Sequence, residues 1–314
     1  MTDVFDQRVE PWRGLGSKIH SPLNSADAIH QAGLDWEVAQ ANVLFTPGES
    51  YQYNEPTLAK DYYVNYRTDT QEVLGIVGKK YEIVQNREAF QFIDDLVDVD
   101  EIKFVQGGPF GNGKKAWLLA QMPSQYVLGD RTDLYLCFVH GHDGNTGIKV
   151  FICADRFVCH NAIHVNFQHA LRGWSTSHTA GAKDRLEHAK IAFQMTSKYL
   201  DRLKDKAERL YKVKLDQGKI ENLTTKLFPY NQETATDRTI QNAINQRNEW
   251  LFRFKNAPDL ENFRYTGWGF VTATADFATH APPIRETKNF KENRFSKLIG
   301  GGTLVDKAVE LIAA

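Results

Sequence analysis

The sequence predicts an α+β fold, in which an antiparallel β-sheet built of meanders and hairpins packs on a long amphipathic helix, followed by a helical C-terminal part. Short runs of β-branched and aromatic residues, separated by turns that contain Gly, Asn and Asp, occupy residues 56–178. From residue 179 onward, the apolar residues follow the helical period instead. Strands first and helices afterwards are typical of α+β proteins.

The chain of 314 residues divides into three parts by composition and pattern. Residues 1–55 are rich in proline and small polar residues, which predicts an irregular N-terminal segment. Residues 56–178 are predicted to be mainly β with one short helix, and residues 179–314 mainly α. A chain of this length can bury one large core or two modest ones, and we expect residues 56–314 to form one integrated domain.

The first predicted hairpin lies in DYYVNYRTDTQEVLGIVGKKYEIV, where two runs of β-forming residues flank a polar turn at residues 68–71. In NREAFQFIDDLVDV, Asn86 is a good N-cap for a short helix with apolar residues at helical spacing. Four further strands are predicted within residues 101–158. The connections between these strands contain the Gly, Asn and Asp residues that tight hairpins need, so they predict a meandering antiparallel sheet.

A long amphipathic helix is predicted over about residues 180–215. Its apolar stripe has the a/d spacing of four heptads and consists of Leu186, Ala189, Phe193, Thr196, Leu200, Leu203, Ala207 and Leu210. The opposite face carries many Lys and Arg residues interspersed with Asp and Glu, so it is either a solvated surface or a contact surface for a polyanion. Further helices are predicted at 235–255, at 266–279 and after the glycine run at 300–302.

The stretch GPFGNGKK, residues 108–115, has the G-x-x-x-x-G-K spacing of a phosphate-binding P-loop. However, Lys115 takes the place of the Ser or Thr that binds magnesium, and only seven residues separate it from Pro123, which is too few for the required helix. The stretch therefore predicts a β-hairpin with residues 110–113 at its tip. Lys114 and Lys115 leave that tip as candidate phosphate contacts.

Charge is distributed unevenly along a chain whose formal net charge is −1. Residues 1–130 carry 11 Lys and Arg against 19 Asp and Glu, whereas residues 131–314 carry 27 against 20. The second part is therefore the candidate for contact with an anionic partner.

The cellular location is predicted from the lack of a membrane-spanning segment and of a signal peptide in the sequence. No stretch approaches the ~20 apolar residues of a membrane span, and the first thirty residues lack a signal-peptide profile. Three cysteines, an odd number, predict reduced thiols rather than a disulfide framework. We therefore expect a cytoplasmic protein that makes no contact with membranes.

Residues with metal-binding or proton-transfer chemistry cluster between positions 140 and 164: His140, His142, Asp143, Cys153, Cys159, His160 and His164. Of these, only His160 and His164 match half of a structural zinc pattern. Cys159 and His160 are neighbours on a predicted strand and face apart, which argues against a catalytic pair. We predict no metal and no cofactor. Whether His140, His142 and Asp143 line a pocket is left open by the sequence.

No catalytic sequence motif is present, so enzymatic activity is not predicted. An active site assembled from distant residues would not be visible in the sequence, and that alternative stays open.

Four residues near the joint between the predicted sheet and the long helix are candidate nucleic-acid contacts. Arg156 ends an apolar strand, where it needs either an acidic partner or a phosphate. Arg172 and Trp174 lie in the joint itself, and Lys183 begins the helix. The Trp174 ring is either a buried anchor or an exposed stacking platform for unpaired bases, and the sequence leaves both open.

Six stretches resemble the phage/plasmid-like proteins that carry domain of unknown function 932: PWRGLG, GGPFGNGKKAWLLAQMP, LYLCFVHGHDGNTG, DRFVCHNAI, SHTAG and YTGWGFVTATADFATH. In similar proteins the Gly-rich segment has no nucleotide signature, which supports the hairpin. His160 and His164 depart from the family pattern, which weakens the zinc interpretation. The resemblance implies a setting among phage and plasmid genes, which commonly encode replication, recombination and anti-defence proteins, in the cytoplasm of a bacterial host.

Together these observations predict a non-enzymatic protein that binds or anneals single-stranded DNA in phage or plasmid recombination or replication. The predicted phosphate contacts are Lys114, Lys115, Arg156, Arg172 and Lys183, and the predicted stacking residues are Trp174 and Phe110. An annealing protein would also form homo-oligomers. The alternative is a protein-binding module that inhibits or redirects a host defence or replication factor, which predicts an exposed apolar patch.

Overall fold

The computed structural model describes residues 5, 10, 12–48, 55–91, 93–94, 102–156, 161–163, 173–186, 188, 190–300 and 304–313. Some residues in these ranges, among them Arg156, Lys183 and residues 190–197, are described by their backbone alone. The described chain forms two antiparallel sheets, with most of the helices in the C-terminal part. The predicted α+β fold class is confirmed.

The strands are β1 (Ser17–Lys18), β2 (Val38–Phe45), β3 (Thr57–Arg67), β4 (Val73–Gly78), β5 (Lys103–Phe110), β6 (Lys115–Val127), β7 (Asp130–Gly141), β8 (Ile148–Arg156), β9 (Asn161–Ile163) and β10 (Gly173–Thr176). The helices are α1 (Ser25–Gln31), α2 (Asn86–Gln91), α3 (Ala182–Leu186), α4 (Lys190–Lys212), α5 (Gln217–Leu227), α6 (Asp237–Asn256), α7 (Gly267–His280), α8 (Phe290–Gly300) and α9 (Leu304–Ala313).

The larger sheet has the strand order β1-β5-β6-β7-β8-β10, and β9 also pairs with β8. Strands β5 to β8 form the predicted antiparallel meander. Both faces of β6 are buried, since Leu118 joins the main core while the neighbouring Trp117 joins a second core with Trp12 and Phe295. Burial on both sides explains why these strands read as continuous apolar runs rather than alternating ones.

The smaller sheet has the order β2-β3-β4, and the predicted turn at residues 68–71 joins its last two strands. It meets the larger sheet where Gly75 of β4 approaches the β7–β8 loop. A Cβ atom on Gly75 would lie 2.6 Å from the Asp143 carbonyl oxygen, so only glycine permits this contact.

The C-terminal helices pack around α7, which is buried along nearly its whole length. The predicted long helix is divided into α3 and α4, and its predicted stripe faces the core at each position whose side chain is described. Helices α6 and α7 lie within two residues of their predicted bounds. Helices α5 and α8 were not predicted.

The prediction of an irregular N-terminal segment is wrong for residues 17–45, which contain β1, α1 and β2. The prolines do not prevent this, because Pro22 precedes α1 and Pro47 follows β2. Asn24 caps α1, accepting a hydrogen bond from the Asp27 backbone N–H at 3.0 Å. Apolar side chains of this segment belong to the same main core as those of the C-terminal helices.

Candidate functional site

The predicted hairpin is present at GPFGNGKK. Phe110 of β5 pairs with Lys115 of β6, and the single 3₁₀ turn Gly111–Gly113 connects the two strands. Asn112 in this turn adopts a left-handed backbone conformation, with φ of 60°, which Asn tolerates better than most residues. No helix follows the glycines, so the geometry is that of a hairpin and not of a P-loop.

Phe110, predicted as a base-stacking residue, is only 5% exposed. Its ring stacks on Trp117, with 5.4 Å between the centroids, and lies 5.9 Å from the ring of Phe295 of α8. An incoming base would have to displace these rings. We therefore correct the prediction: Phe110 closes the second core and is not a stacking platform.

Two carboxylates contact the hairpin tip. The Gly111 backbone N–H donates to Glu292 Oε2 of α8 at 3.4 Å, and the Asn112 amide donates to Glu72 Oε1 at 3.2 Å. Lys114 beside them is exposed, whereas Lys115 is half-buried. The tip is thus held against the beginning of α8, and Lys114 is its accessible cation.

Of the other predicted contacts, Trp174 is the one whose side chain the structure describes, and it lies away from this tip. Trp174 lies on the edge strand β10 opposite Val150, half-buried against the main core, three strands away from β6. Arg156 ends β8 and Lys183 belongs to α3, but their side chains are outside the described structure. Arg172 lies outside the described residues, as do Cys159, His160 and His164.

A groove of about 1040 Å³ runs beside α8 and was not predicted. Its walls come from α6, the end of α7, the loop after α7, α8 and the start of α9. We call it the amide groove after the carboxamides in its lining. Its polar and charged side chains are Asn242, Asn245, Gln246, Glu249, Arg285, Asn293, Arg294 and Lys297.

Charge in the amide groove is predominantly positive. Its lining contains three cations and the single carboxylate of Glu249, which already accepts a hydrogen bond from Arg253 Nε at 2.7 Å. Two of the cations, Arg285 and Lys297, are exposed. The lining therefore suits a ligand that carries negative charge together with hydrogen-bonding groups.

Arg294 fixes the geometry of the floor of this groove. Its guanidinium donates to the Thr279 carbonyl at 2.8 Å and to the Ala281 carbonyl, and it lies 4.3 Å above the ring of Phe290. Burial, and then the charge of Arg253, lowers the pKa of Arg294. The side chain thus binds the carbonyl groups at the C-terminal end of α7, where a cation is stabilised by the helix dipole.

The sequence signal for this surface is a cation at every third position: Arg285, Lys288, Lys291, Arg294 and Lys297. On α8 the last three share one helical face. Glu286 and Glu292 lie in the same stretch and make its overall charge unremarkable, so composition alone does not reveal this face. Glu292, however, contacts the hairpin tip rather than the groove.

Three histidines hold the junction between the two sheets. His140 donates from Nε2 to the Val84 carbonyl at 2.8 Å, and His142 donates from Nε2 to Asn86 Oδ1 at 2.9 Å. His178 donates from Nδ1 to the Glu82 carbonyl at 3.2 Å. Their partners, Glu82, Val84 and Asn86, are alternate residues of the segment 82–86, which leads into α2, so the imidazoles fasten that segment to the larger sheet.

Burial lowers the pKa of all three histidines. The pKa of His142 falls to about 3, chiefly through burial and secondarily through repulsion from His178. The second ring nitrogen of each imidazole has no hydrogen-bond partner among the described residues. His140 and His142 are fully buried and line none of the clefts described here.

Asp143 accepts hydrogen bonds within its own loop, from the Asn145 and Thr146 backbone amides and the Thr146 hydroxyl. Across the described part of the chain, no group of three or more His, Cys, Asp or Glu residues could hold a metal ion.

Among the described residues, no helix is long and apolar enough to cross a bilayer.

These features define an α+β protein with two antiparallel sheets and a cationic, carboxamide-lined groove in its helical part. The chain belongs to the family described as Domain of unknown function (DUF932), which matches residues 73–298. The matched region includes most of the larger sheet, the hairpin and nearly all of the amide groove. Comparison with curated proteins and with solved structures gives no match.

Proposed function

We propose that this protein binds single-stranded DNA through the amide groove, as a non-enzymatic binding or annealing protein of phage or plasmid recombination or replication in the bacterial cytoplasm. The observation that carries the proposal is the lining of the groove: four carboxamides and three cations, with the one carboxylate already paired. Carboxamides recognise the hydrogen-bonding edges of bases, and Arg and Lys bind phosphates.

The place of the groove also supports this proposal. Because Glu292 joins the hairpin tip to the beginning of α8, Lys114 lies beside the helix that presents Lys291, Arg294 and Lys297. A flexible strand that crosses α8 would meet cations along its path before its bases reach the groove. Single-stranded nucleic acid follows such positively charged tracks because its backbone is charged at every nucleotide.

Binding of a fluorescein-labelled 30-nucleotide DNA strand, followed by anisotropy, tests the proposal. We expect binding at low salt that weakens as the salt concentration rises, because each phosphate contact releases counterions. The double variant Arg285→Glu/Lys297→Glu is expected to bind at least about tenfold more weakly, since it places two repelling charges on the groove. Lys114→Glu is expected to weaken binding to a smaller extent.

The matched control for this experiment is Lys60→Glu/Lys226→Glu, which makes the same charge change at two exposed lysines outside the amide groove. We expect the control to bind nearly as well as the unmodified protein. Absence of binding at low salt would contradict the proposal. An equal loss of affinity in the control would show that only net charge matters and would exclude the groove as the site.

A second candidate function, a protein-binding module directed at a host factor, is favoured by the outer face of the smaller sheet. Tyr62, Val73 and Ile76 are 56%, 54% and 60% exposed. The strand register places Val73 opposite Tyr66 and Ile76 opposite Val64, so these apolar side chains share one face. Contiguous exposed apolar surface is typical of protein–protein contact sites.

A pull-down from host lysate with the unmodified protein and with Ile76→Asp tests this second candidate. A host protein recovered by the former and lost by the latter would support it, provided that the variant still binds DNA like the unmodified protein. Recovery of the same proteins by both would exclude this face as the contact surface.

A further inference from the structure

Two adjoining clefts of about 440 and 560 Å³ form a second groove, on a surface distinct from the amide groove. Val213 and Ile312 line both clefts, which lie among α4, α5 and α9. We call the pair the C-terminal groove. Its lining is Arg202, Asp205, Lys206, Arg209, Leu210, Val213, Lys214, Leu215, Gly218, Lys219, Asn222, Leu223, Val309, Leu311, Ile312 and Ala313.

The floor of the C-terminal groove is aliphatic. Leu223, Leu311 and Ile312 are half-buried, and Val213 is 37% exposed. Gly267 of α7 lies underneath, where a Cβ atom would approach Ile312 Cγ2 to 2.8 Å and the Leu210 carbonyl oxygen to 2.9 Å. Because Gly267 has no side chain, α4 and α9 can pack closely against α7. This close packing forms the apolar floor of the groove.

The rim of the C-terminal groove is cationic. Five of its lining residues are Lys or Arg, against the single carboxylate of Asp205. Burial lowers the pKa of Lys206, and the carboxylates of Asp306 and Glu310, which face it, counter this lowering only in part. The remaining cations, Arg202, Arg209, Lys214 and Lys219, form no ion pair within the described residues, and Lys214 lies 4.8 Å above the ring of Tyr211.

We propose that the C-terminal groove binds an acidic peptide segment of a partner protein, with aliphatic side chains seated on the floor and carboxylates at the cationic rim. The charge of the rim and the chemistry of the floor together specify this occupant. Nucleic acid fits less well, because Asn222 is the one carboxamide in the lining and the aliphatic floor offers nothing to the polar edges of bases. The two grooves thus differ in the chemistry that they select.

A fluorescein-labelled eight-residue peptide of alternating Asp and Leu is the probe, titrated with the full chain and followed by anisotropy. We expect saturable binding that the double variant Lys214→Glu/Lys219→Glu weakens at least tenfold. A peptide of alternating Asp and Ser carries the same charge without the aliphatic groups, so we expect it to bind at least fivefold more weakly. Far-UV circular dichroism checks that the variant remains folded.

The matched control is the amide-groove variant Arg285→Glu/Lys297→Glu, which should retain peptide binding. This comparison separates the two proposals. Loss of DNA binding in Arg285→Glu/Lys297→Glu would assign DNA to the amide groove, and loss of peptide binding in Lys214→Glu/Lys219→Glu would assign the peptide to the C-terminal groove. Equal binding of the Leu and Ser peptides would overturn the inference, as would absence of peptide binding. If Lys214→Glu/Lys219→Glu lost DNA binding but kept peptide binding, the C-terminal groove would be assigned to nucleic acid. That result would also overturn the inference of a peptide site.

Discussion

Replacing Arg253 by methionine is expected to lower the free energy of unfolding by about 3–5 kcal/mol, the cost of breaking a buried ion pair from one side. Arg253 is 2% exposed and its Nη1 donates to Oδ2 of Asp276, which is 1% exposed, at 3.2 Å. The same guanidinium donates to Glu249 and to the His280 carbonyl. The variant leaves the Asp276 carboxylate in the core without this cation.

Urea denaturation at pH 7.5 measures the effect. The double variant Arg253→Met/Asp276→Leu should recover most of the loss, because it removes the uncompensated charge as well. Arg247→Met is the matched control: Arg247 binds the Thr225 and Phe228 carbonyls near the surface, and we expect it to cost about 1 kcal/mol. A cost for Arg253→Met as small as that of the control would show that the buried pair is not essential.

The second large effect is a loss of stability as the pH falls from 7.5 to 5. The pKa of His142 is about 3 in the folded protein and that of His140 is also lowered well below its usual value. An unfolded chain binds these protons near pH 6.5, so the unfolded state takes up more protons as pH falls and folding becomes less favourable. Each such histidine is expected to lower the free energy of unfolding by about 2 kcal/mol between pH 7.5 and pH 5.

Chemical denaturation at several pH values tests this expectation. His142→Gln removes one titrating group, so its stability should depend less steeply on pH, by about 1.4 kcal/mol per pH unit below pH 6. His30→Gln is the control for replacing a histidine by glutamine at the surface, because His30 is exposed beside Asp35. A slope for His142→Gln equal to that of the unmodified protein would contradict the assignment of acid lability to this junction.

The elements that the sequence predicted well are those specified by neighbouring residues. The GPFGNGKK hairpin follows from glycines that tolerate turn geometry and from β-forming residues on either side. The apolar stripe from Leu186 to Leu210 follows from helical spacing alone, although the structure divides that helix in two. Both patterns operate over a few residues, so no tertiary contact is needed to recognise them.

One error and one open question concern places where residues distant in sequence meet. Phe110 sits beside an exposed glycine-rich tip, and nothing nearby in the sequence shows that Phe295 covers it. The sequence left open whether His140 and His142 line a pocket, because their hydrogen-bond partners, Val84 and Asn86, lie 56 positions away in each case. In both cases the burial of a side chain was decided by a segment tens to hundreds of residues away.

The sequence by itself determined the α+β class, the antiparallel meander, the hairpin in place of a P-loop and the excess of cations in the second part of the chain. Only the tertiary structure decided which cations share a surface. The amide groove takes its lining from α6, the end of α7, α8 and α9, and the C-terminal groove takes its lining from α4, α5 and α9. Secondary structure follows from local dihedral preferences and periodic burial, whereas a groove exists only after helices distant in sequence have packed around a common core.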